Sequence, residues 1–213
     1  MYSFDEVSMG DDDLVATGGD LEPGTLINAY SAGLFPMPLN KRTLGWFCPV
    51  TRGIIPLDGF HMSRSLTKSM RRFTFSTDTA FIEVMRACGD PRRERGWIND
   101  EFIAAYTRLH HLGWAHSVEV WLDGQLVGGV YGVRVRRFFA GESMFHTATD
   151  ASKAAVAVLV DVLNRAGVVL FDVQWTTPHL KSLGAVDVPR HRYLQLVAEA
   201  TKPPDSRQTE QHG

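Results

Sequence analysis

Apolar residues at Phe102, Ala105, Tyr106 and Leu109 recur three and four positions apart, and Asn99 or Asp100 stands just before them. That pattern predicts a capped amphipathic helix through about Leu112. The period then changes. His116 to Leu122 alternates, Asp123-Gly124 is a strong hairpin turn, and Gln125–Val133 and Val135–Ala140 read as two further strands. Ala151 to Arg165 reads as a long helix that ends at Gly167 as its C′ glycine. Val168 to Val173 is apolar except for Asp172, the signature of a buried strand. Shorter elements flank these. A helix from Pro23 to about Ala32 is stopped by Gly33-Leu34-Phe35-Pro36, and Leu44 to Pro56 reads as short strands and turns. Ser63 or Ser65 caps a helix to Arg72, Phe73–Ser76 is a brief strand, and Asp78 or Thr79 starts a helix through Cys88, stopped by Gly89-Asp90-Pro91. Near the end come a short helix over Pro178–Leu183, a strand or turn at Val186–Val188 and a helix over Arg190–Ala200. The polar stretch from Lys202, with its Pro pair, reads as a disordered tail.

The expected layout is a small N-terminal α/β domain over 1–52, a larger domain over 53–201 and a tail over 202–213. The fold class is α+β with a mixed sheet. After residue 53 the order is β-α-α-β-β-β-α-β-α, which resembles that of the acetyltransferase-like (GNAT) fold. There a mixed sheet splays open between two neighbouring strands, and the acyl donor lies in the gap.

Composition narrows the function classes. The chain has 213 residues, 44% hydrophobic, with a formal net charge of −2, which is not that of a bulk nucleic-acid binder. Basic residues nevertheless cluster. Arg64, Lys68, Arg71 and Arg72 share one helix face by spacing, Arg92, Arg93 and Arg95 form a second group, and Arg134, Arg136 and Arg137 a third. Each group alone reads as a solvated face; three on an acidic chain point to a localised phosphate-binding surface. Cys48 and Cys88 make no CxxC pair and suggest no disulfide framework, which fits a reducing cytosol. Met1 to Asp13 is too acidic and polar for a signal peptide, and no apolar run reaches the roughly 20 residues of a membrane span. His110 and His111 are adjacent and so face different ways on a helix. With His116 they lack the cysteine or paired carboxylate that would complete a metal site, and His116 is expected to make a structural hydrogen bond.

An ordered set of short motifs spans about residues 14 to 196. It comprises Gly18-Gly19-Asp20-Leu21, Ala29-Tyr30 with Gly33-Leu34-Phe35-Pro36, His61-Met62-Ser63-Arg64-Ser65 and Gly96-Trp97-Ile98. It continues with Ala115-His116-Ser117-Val118-Glu119-Val120-Trp121, Leu126-Val127-Gly128-Gly129-Val130-Tyr131-Gly132, Gly141-Glu142-Ser143-Met144-Phe145 and Ala151-Ser152-Lys153. Phe171-Asp172-Val173-Gln174 and Ser182-Leu183-Gly184-Ala185 complete it. In this set the chain resembles the leucyl/phenylalanyl-tRNA–protein transferases. The resemblance implies an enzyme that moves Leu or Phe from aminoacyl-tRNA to the N-terminal Lys or Arg of an acceptor protein, marking it for N-degron degradation. It implies no cofactor, a cytoplasmic location and a monomer, with no membrane partner. The ester is already activated, and an α-amine with a pKa of about 8 is partly neutral at pH 7, so positioning can supply much of the rate enhancement. This agrees with a sequence that has no serine elbow, Cys–His motif or metal cluster.

The resemblance places Asp172, Gln174 and Glu142 at the reaction centre. Gln174 would accept a hydrogen bond from the attacking amine. Asp172 would orient Gln174 and stabilise the cationic amine. Glu142, expected at a strand end, would help hold the acceptor or the substrate's amino group. On residue type alone Asp172 reads equally as a strand-end cap, Gln174 as solvent-facing and Glu142 as a surface carboxylate, although an acid in an apolar strand is costly to bury without partners. Alternation along the strand would put Asp172 and Gln174 on one face. Val130, Phe139, Met144, Val156, Leu159 and Phe171 match the family's aminoacyl pocket and would otherwise be plain core. Such a pocket discriminates one methylene by only about 1–3 kcal/mol, so Met is expected as a third, poorer donor. Trp97 matches a tryptophan that stacks on the terminal adenosine of tRNA. Met37 stands where the family often has a second one. The basic helix with Arg64, Lys68, Arg71 and Arg72 matches the tRNA-backbone surface. The family's aromatic C-terminal ending is replaced by the polar tail. A coenzyme A-dependent N-acetyltransferase of the same fold is the main alternative. It would need a glycine-rich pyrophosphate loop before the long helix, but Ser143 to Asp150 contains no glycine and Asp150 would repel phosphate. A non-catalytic tRNA- or N-degron-binding module is a third reading, against which Asp172, Gln174 and Glu142 argue.

Overall fold

The alternating run after the fourth helix forms β6 (Ala115–Leu122), which turns at Asp123-Gly124 into β7 (Gln125–Val135) and then β8 (Phe138–His146). These form the middle of a seven-stranded sheet in the computed structural model, which describes Phe4 and residues 9–92 and 97–203. The other strands of that sheet are β4 (Thr51–Ile55), β5 (Thr74–Thr77), β9 (Leu170–Gln174) and β10 (Val186–Pro189). Their order is β10-β4-β9-β8-β7-β6-β5. Every neighbouring pair is antiparallel except β8 and β9, which run parallel. A smaller sheet, ordered β1-β3-β2, is built from β1 (Leu14–Thr17), β2 (Phe35–Pro38) and β3 (Leu44–Phe47).

The helices are α1 (Pro23–Ser31), α2 (Arg64–Met70), α3 (Phe81–Cys88), α4 (Asp100–His111), α5 (Ala151–Arg165), α6 (Pro178–Lys181) and α7 (Arg190–Thr201). Ser63, Asn99 and Thr177 cap α2, α4 and α6 by accepting a backbone N–H three residues on, each a ready satisfaction of an orphan helix donor. The large sheet is covered on both faces. α5 packs on one face over Val118, Val130, Phe139 and Phe171, while α1, α3, α4 and α7 close over Tyr131, Phe138, Ala140 and Leu170 on the other. Adjacent residues such as Phe138 and Phe139 therefore enter different cores, as strand alternation requires. α5 lies very close to β7: a Cβ at Gly128 would come within 2.6 Å of Ala151 Cβ. Gly167, at φ +69, reverses the chain after α5. Tyr30, Leu34 and Trp46 of the N-terminal segment share one buried cluster with Tyr131, Phe138 and Tyr193.

The mixed α+β architecture is the GNAT-like one expected, and its central feature is a short ladder. β8 and β9 pair only at Phe138↔Leu170, Phe139↔Phe171 and Ala140↔Asp172. Beyond that point β8 runs on to His146 and β9 to Gln174 without pairing to each other, so the sheet opens into a gap.

Two expectations are corrected. β8 continues to His146 instead of stopping at Ala140, so Glu142 lies within a strand and not at its end. Gly141, Glu142 and Ser143 have weak strand propensity, but pairing with the long β7 overrides it. α3 begins at Phe81 because Asp78, at φ +58, is held instead by the Ser117 N–H and the His116 ring. β4 begins at Thr51, so Arg52 belongs to the large sheet.

Candidate active site

The gap between β8 and β9 holds a cavity of about 80 Å³ lined by Val130, Gly141, Glu142, Ser143, Met144, Val156, Phe171, Val173, Gln174 and Leu180. Its floor is apolar and its polar wall is formed by Glu142 and Gln174. Both polar side chains are presented by irregularities in the sheet. In the β7–β8 ladder Tyr131 faces Ser143 and Gly132 faces Gly141, so Glu142 is an extra, bulged residue. In the β4–β9 ladder Gly53 faces Gln174 and Ile54 faces Asp172, so Val173 is bulged. Bulges of this kind re-aim side chains and terminate pairing. Gln174 also adopts φ +59, an unfavourable conformation for a residue with a side chain. The simple alternation expected between Asp172 and Gln174 is thus interrupted.

Glu142 is surrounded by neutral donors. Gln174 Nε2 donates to its Oε1 at 3.2 Å, and the Tyr106 hydroxyl approaches Oε2 at 3.5 Å. The Tyr30 and Tyr106 hydroxyls are 2.5 Å apart. Burial, together with the nearby Asp172 charge, raises the Glu142 pKa to about 8 against the lowering effect of Tyr30, Arg52 and Tyr106. The same burial, reinforced by the Glu142 charge, holds the Tyr30, Tyr106 and Tyr131 hydroxyls well above their ordinary value. The Tyr131 hydroxyl is buried without a hydrogen-bond partner among the described residues.

Asp172 has the opposite environment. It is fully buried and does not line the cavity. Arg52 Nε donates to its Oδ1 at 2.7 Å and Arg52 Nη2 to its Oδ2 at 2.6 Å. The Tyr193 hydroxyl donates to Oδ2 at 3.0 Å and the Gln174 backbone N–H to Oδ1 at 3.0 Å. The Arg52 guanidinium packs over the Phe35 and Tyr193 rings, 4.7 and 4.3 Å from their centroids. Burial opposes its charge, but the Asp172 carboxylate outweighs that and raises its pKa above the ordinary value. With both oxygens occupied, Asp172 meets Gln174 through the backbone, and its path to an incoming amine is taken by protein donors.

Of the six residues matched to an aminoacyl pocket, Val130, Met144, Val156 and Phe171 line the gap. Phe139 and Leu159 do not. They line a separate apolar cavity with Asp78, His116 and Arg134, and Phe139 meets Phe171 edge-on at 5.8 Å. Val173 and Leu180 line the gap instead; both belong to an apolar run or short helix whose direction only the bulge and α6 set. Trp97 is half-buried edge-on against Phe102 at 5.2 Å, and Met37 is half-buried on β2; neither lines the cavity. Arg64, Lys68, Arg71 and Arg72 are exposed on and just after α2. Arg72 Nη2 also donates to Thr149 O at 2.9 Å beside the start of α5. Arg92 pairs with Asp90, whereas Arg93 and Arg95 lie outside the described residues. Arg134 and Arg137 donate to Ala166 O and Gly167 O at the C-terminal end of α5, where cations complement the helix dipole. Arg52, Tyr106 and Tyr193 carry no sequence signal that marks them as site residues, and Tyr30, though part of the Ala29-Tyr30 motif, is assigned no role in the site by the resemblance. Arg52 is 120 positions from Asp172, and no local pattern joins them. Among the described residues no helix is long and apolar enough to cross a membrane.

Comparison with known proteins places the chain in a family. The sequence model described as leucyl/phenylalanyl-tRNA protein transferase matches residues 54–198, and the model of that family's N-terminal domain matches residues 19–50. A leucyl/phenylalanyl-tRNA–protein transferase of Ruegeria pomeroyi is 50% identical over 184 residues, covering 84% of this chain and 87% of its own. That of Idiomarina loihiensis is 46% identical over 199 residues, covering 91% and 84%. Among solved structures, FemX superposes with a TM-score of 0.50 at 13% identity over 83% of this chain and 71% of its own, a likeness of fold alone. The chain therefore belongs to the leucyl/phenylalanyl-tRNA–protein transferase family and is an aminoacyl-tRNA–protein transferase.

Proposed function

We propose that the chain moves Leu or Phe, and Met less well, from tRNA to the N-terminal Lys or Arg of acceptor proteins, and so marks them for degradation. The observation that carries this reading is the gap between β8 and β9, apolar at its floor and walled by Glu142 and Gln174. The donor side chain enters the floor formed by Val130, Met144, Val156 and Phe171. The ester carbonyl then lies toward the polar wall. The acceptor's α-ammonium gives one proton to the Glu142 carboxylate. Burial holds Glu142 above its ordinary value, toward the range of an α-amine, and the arriving ammonium favours its ionised form. The neutral amine, its N–H donating to the Gln174 amide oxygen, attacks the carbonyl carbon through its lone pair. A C–N bond forms, the C–O bond to the ribose breaks, and the second amine proton leaves with the ribose oxygen. Trp97 and Met37 contact the terminal adenosine, and Arg64, Lys68, Arg71 and Arg72 contact the tRNA backbone.

The test supplies labelled Leu-tRNA with a peptide beginning with Arg, a peptide beginning with Ala, and acetyl-coenzyme A as a rival donor. Label on the Arg peptide alone is expected. No label there, equal label on both peptides, or acetylation in place of leucylation overturns the reading.

A further inference from the structure

Four donors converge on the two oxygens of Asp172, and Arg52 supplies two of them. Arg52 itself packs over the Phe35 and Tyr193 rings. A planar guanidinium fork fixes a carboxylate in direction as well as position, which an ammonium cannot do. The direction matters because Asp172 Oδ1 accepts the backbone N–H two residues on, closing an Asx turn. That turn contains Val173, the bulged residue, and ends at Gln174, whose φ of +59 needs local support. The same turn sends the Gln174 amide across the gap to Glu142.

We infer that Arg52 is a positioning residue for the transfer reaction: it holds Asp172 in the orientation that maintains the left-handed turn at Gln174 and thereby aims the Gln174 amide at the reacting amine. The inference rests on the reading of the gap as the transfer site. Arg52 is fully buried and does not line the cavity, so it acts through Asp172 and not on substrate. Tyr193 supports the same carboxylate from α7.

The test uses the full chain with Leu-tRNA and an Arg-initiated peptide. Arg52→Lys keeps the charge and loses the fork. A displacement of about 1 Å at a positioned group costs on the order of 100-fold, so kcat is expected to fall about 10- to 100-fold while KM for both substrates stays within about twofold. In folded protein, checked by circular dichroism, an unchanged kcat overturns the inference, as does a loss carried by KM. Adding Asp172→Asn should lower kcat no further than Asp172→Asn alone, because both act through one path; a multiplicative loss overturns it. Should Arg52→Lys fail to fold, Arg52→Gln removes the charge and the fork but keeps a planar amide donor for Asp172. A several-fold lower kcat at constant KM supports the inference, and an unchanged kcat overturns it. The unaltered chain separates the two readings. Its failure to transfer overturns the assignment of the gap, whereas transfer with equal kcat in the variants overturns only the role of Arg52.

Discussion

Asp172 and Glu142 lie on neighbouring strands on either side of one gap, yet their surroundings differ in kind. Asp172 faces a full cation that packs over two aromatic rings, and its oxygens are filled by protein donors. Glu142 bonds to an amide and tyrosine hydroxyls, and among the described residues no cation pairs with it. A paired buried carboxylate is fixed in charge and direction, so it holds structure. An unpaired one in the same dielectric is held near neutrality and responds when a cation arrives. The pair teaches that burial alone does not make a catalytic carboxylate; what matters is whether the protein or the substrate brings the positive charge.

The largest effect is expected at Glu142. Glu142→Gln keeps the shape and loses the proton acceptor, so kcat should fall about 10²- to 10⁴-fold. An unchanged kcat in a steady-state assay would erase the contrast with Asp172. The same substitution has a stability signature of opposite sign. The Glu142 pKa is raised from 4.5 to about 8, so between those values the folded chain holds a proton that the unfolded chain has released. The contribution is fully present below about pH 4.5 and is lost as pH rises through about 8. Thermal midpoints measured from pH 5 to 9 should therefore fall more steeply for the native chain than for Glu142→Gln; parallel curves would break the argument. At Asp172 the main effect is on the fold. Asp172→Asn leaves the Arg52 charge buried without its partner, at a cost of about 3–5 kcal/mol in denaturant unfolding. A loss under about 1 kcal/mol, the range of exposed pairs, would mean that the clamp is no different from a surface pair.

Smaller effects lie at the edges of the site. Met144→Ala enlarges the floor and should move donor preference toward Phe over Leu by about 1–3 kcal/mol in kcat/KM, whereas Leu159→Ala, on the separate cavity, should not. Equal shifts would merge the two cavities. Reversing Arg71 and Arg72 to Glu should weaken tRNA binding and lower its salt slope by about 0.9 per lost phosphate contact in log–log titrations. An unchanged affinity would remove α2 from the tRNA surface.

Much of this arrangement is legible in the residue pattern. The stripe Phe102, Ala105, Tyr106 and Leu109 is buried on α4 as its spacing predicts, and Asp123-Gly124 turns the β6–β7 hairpin. Gln174 and Glu142 meet across one gap, with Asp172 behind them on the Gln174 backbone, and four of the six apolar positions line it. The other two, Phe139 and Leu159, have the same composition and periodicity as those four, so residue type could not tell cavity wall from core. Nor could pattern show the strand continuation through Gly141, Glu142 and Ser143, because the pairing that forms it comes from β7.

The sequence by itself determined most of the element order, which follows from local periodicity, and the family, which follows from short motifs in a fixed succession. The family resemblance in turn pointed to Asp172, Gln174 and Glu142. Only the tertiary structure decided what each carboxylate meets. The partners of Asp172 come from positions 120 and 21 residues away, and those of Glu142 from α4 and β9. Two bulges and one left-handed residue then set where the side chains point. Such contacts depend on how the sheet parts and what packs against it, and no local pattern in the chain encodes that.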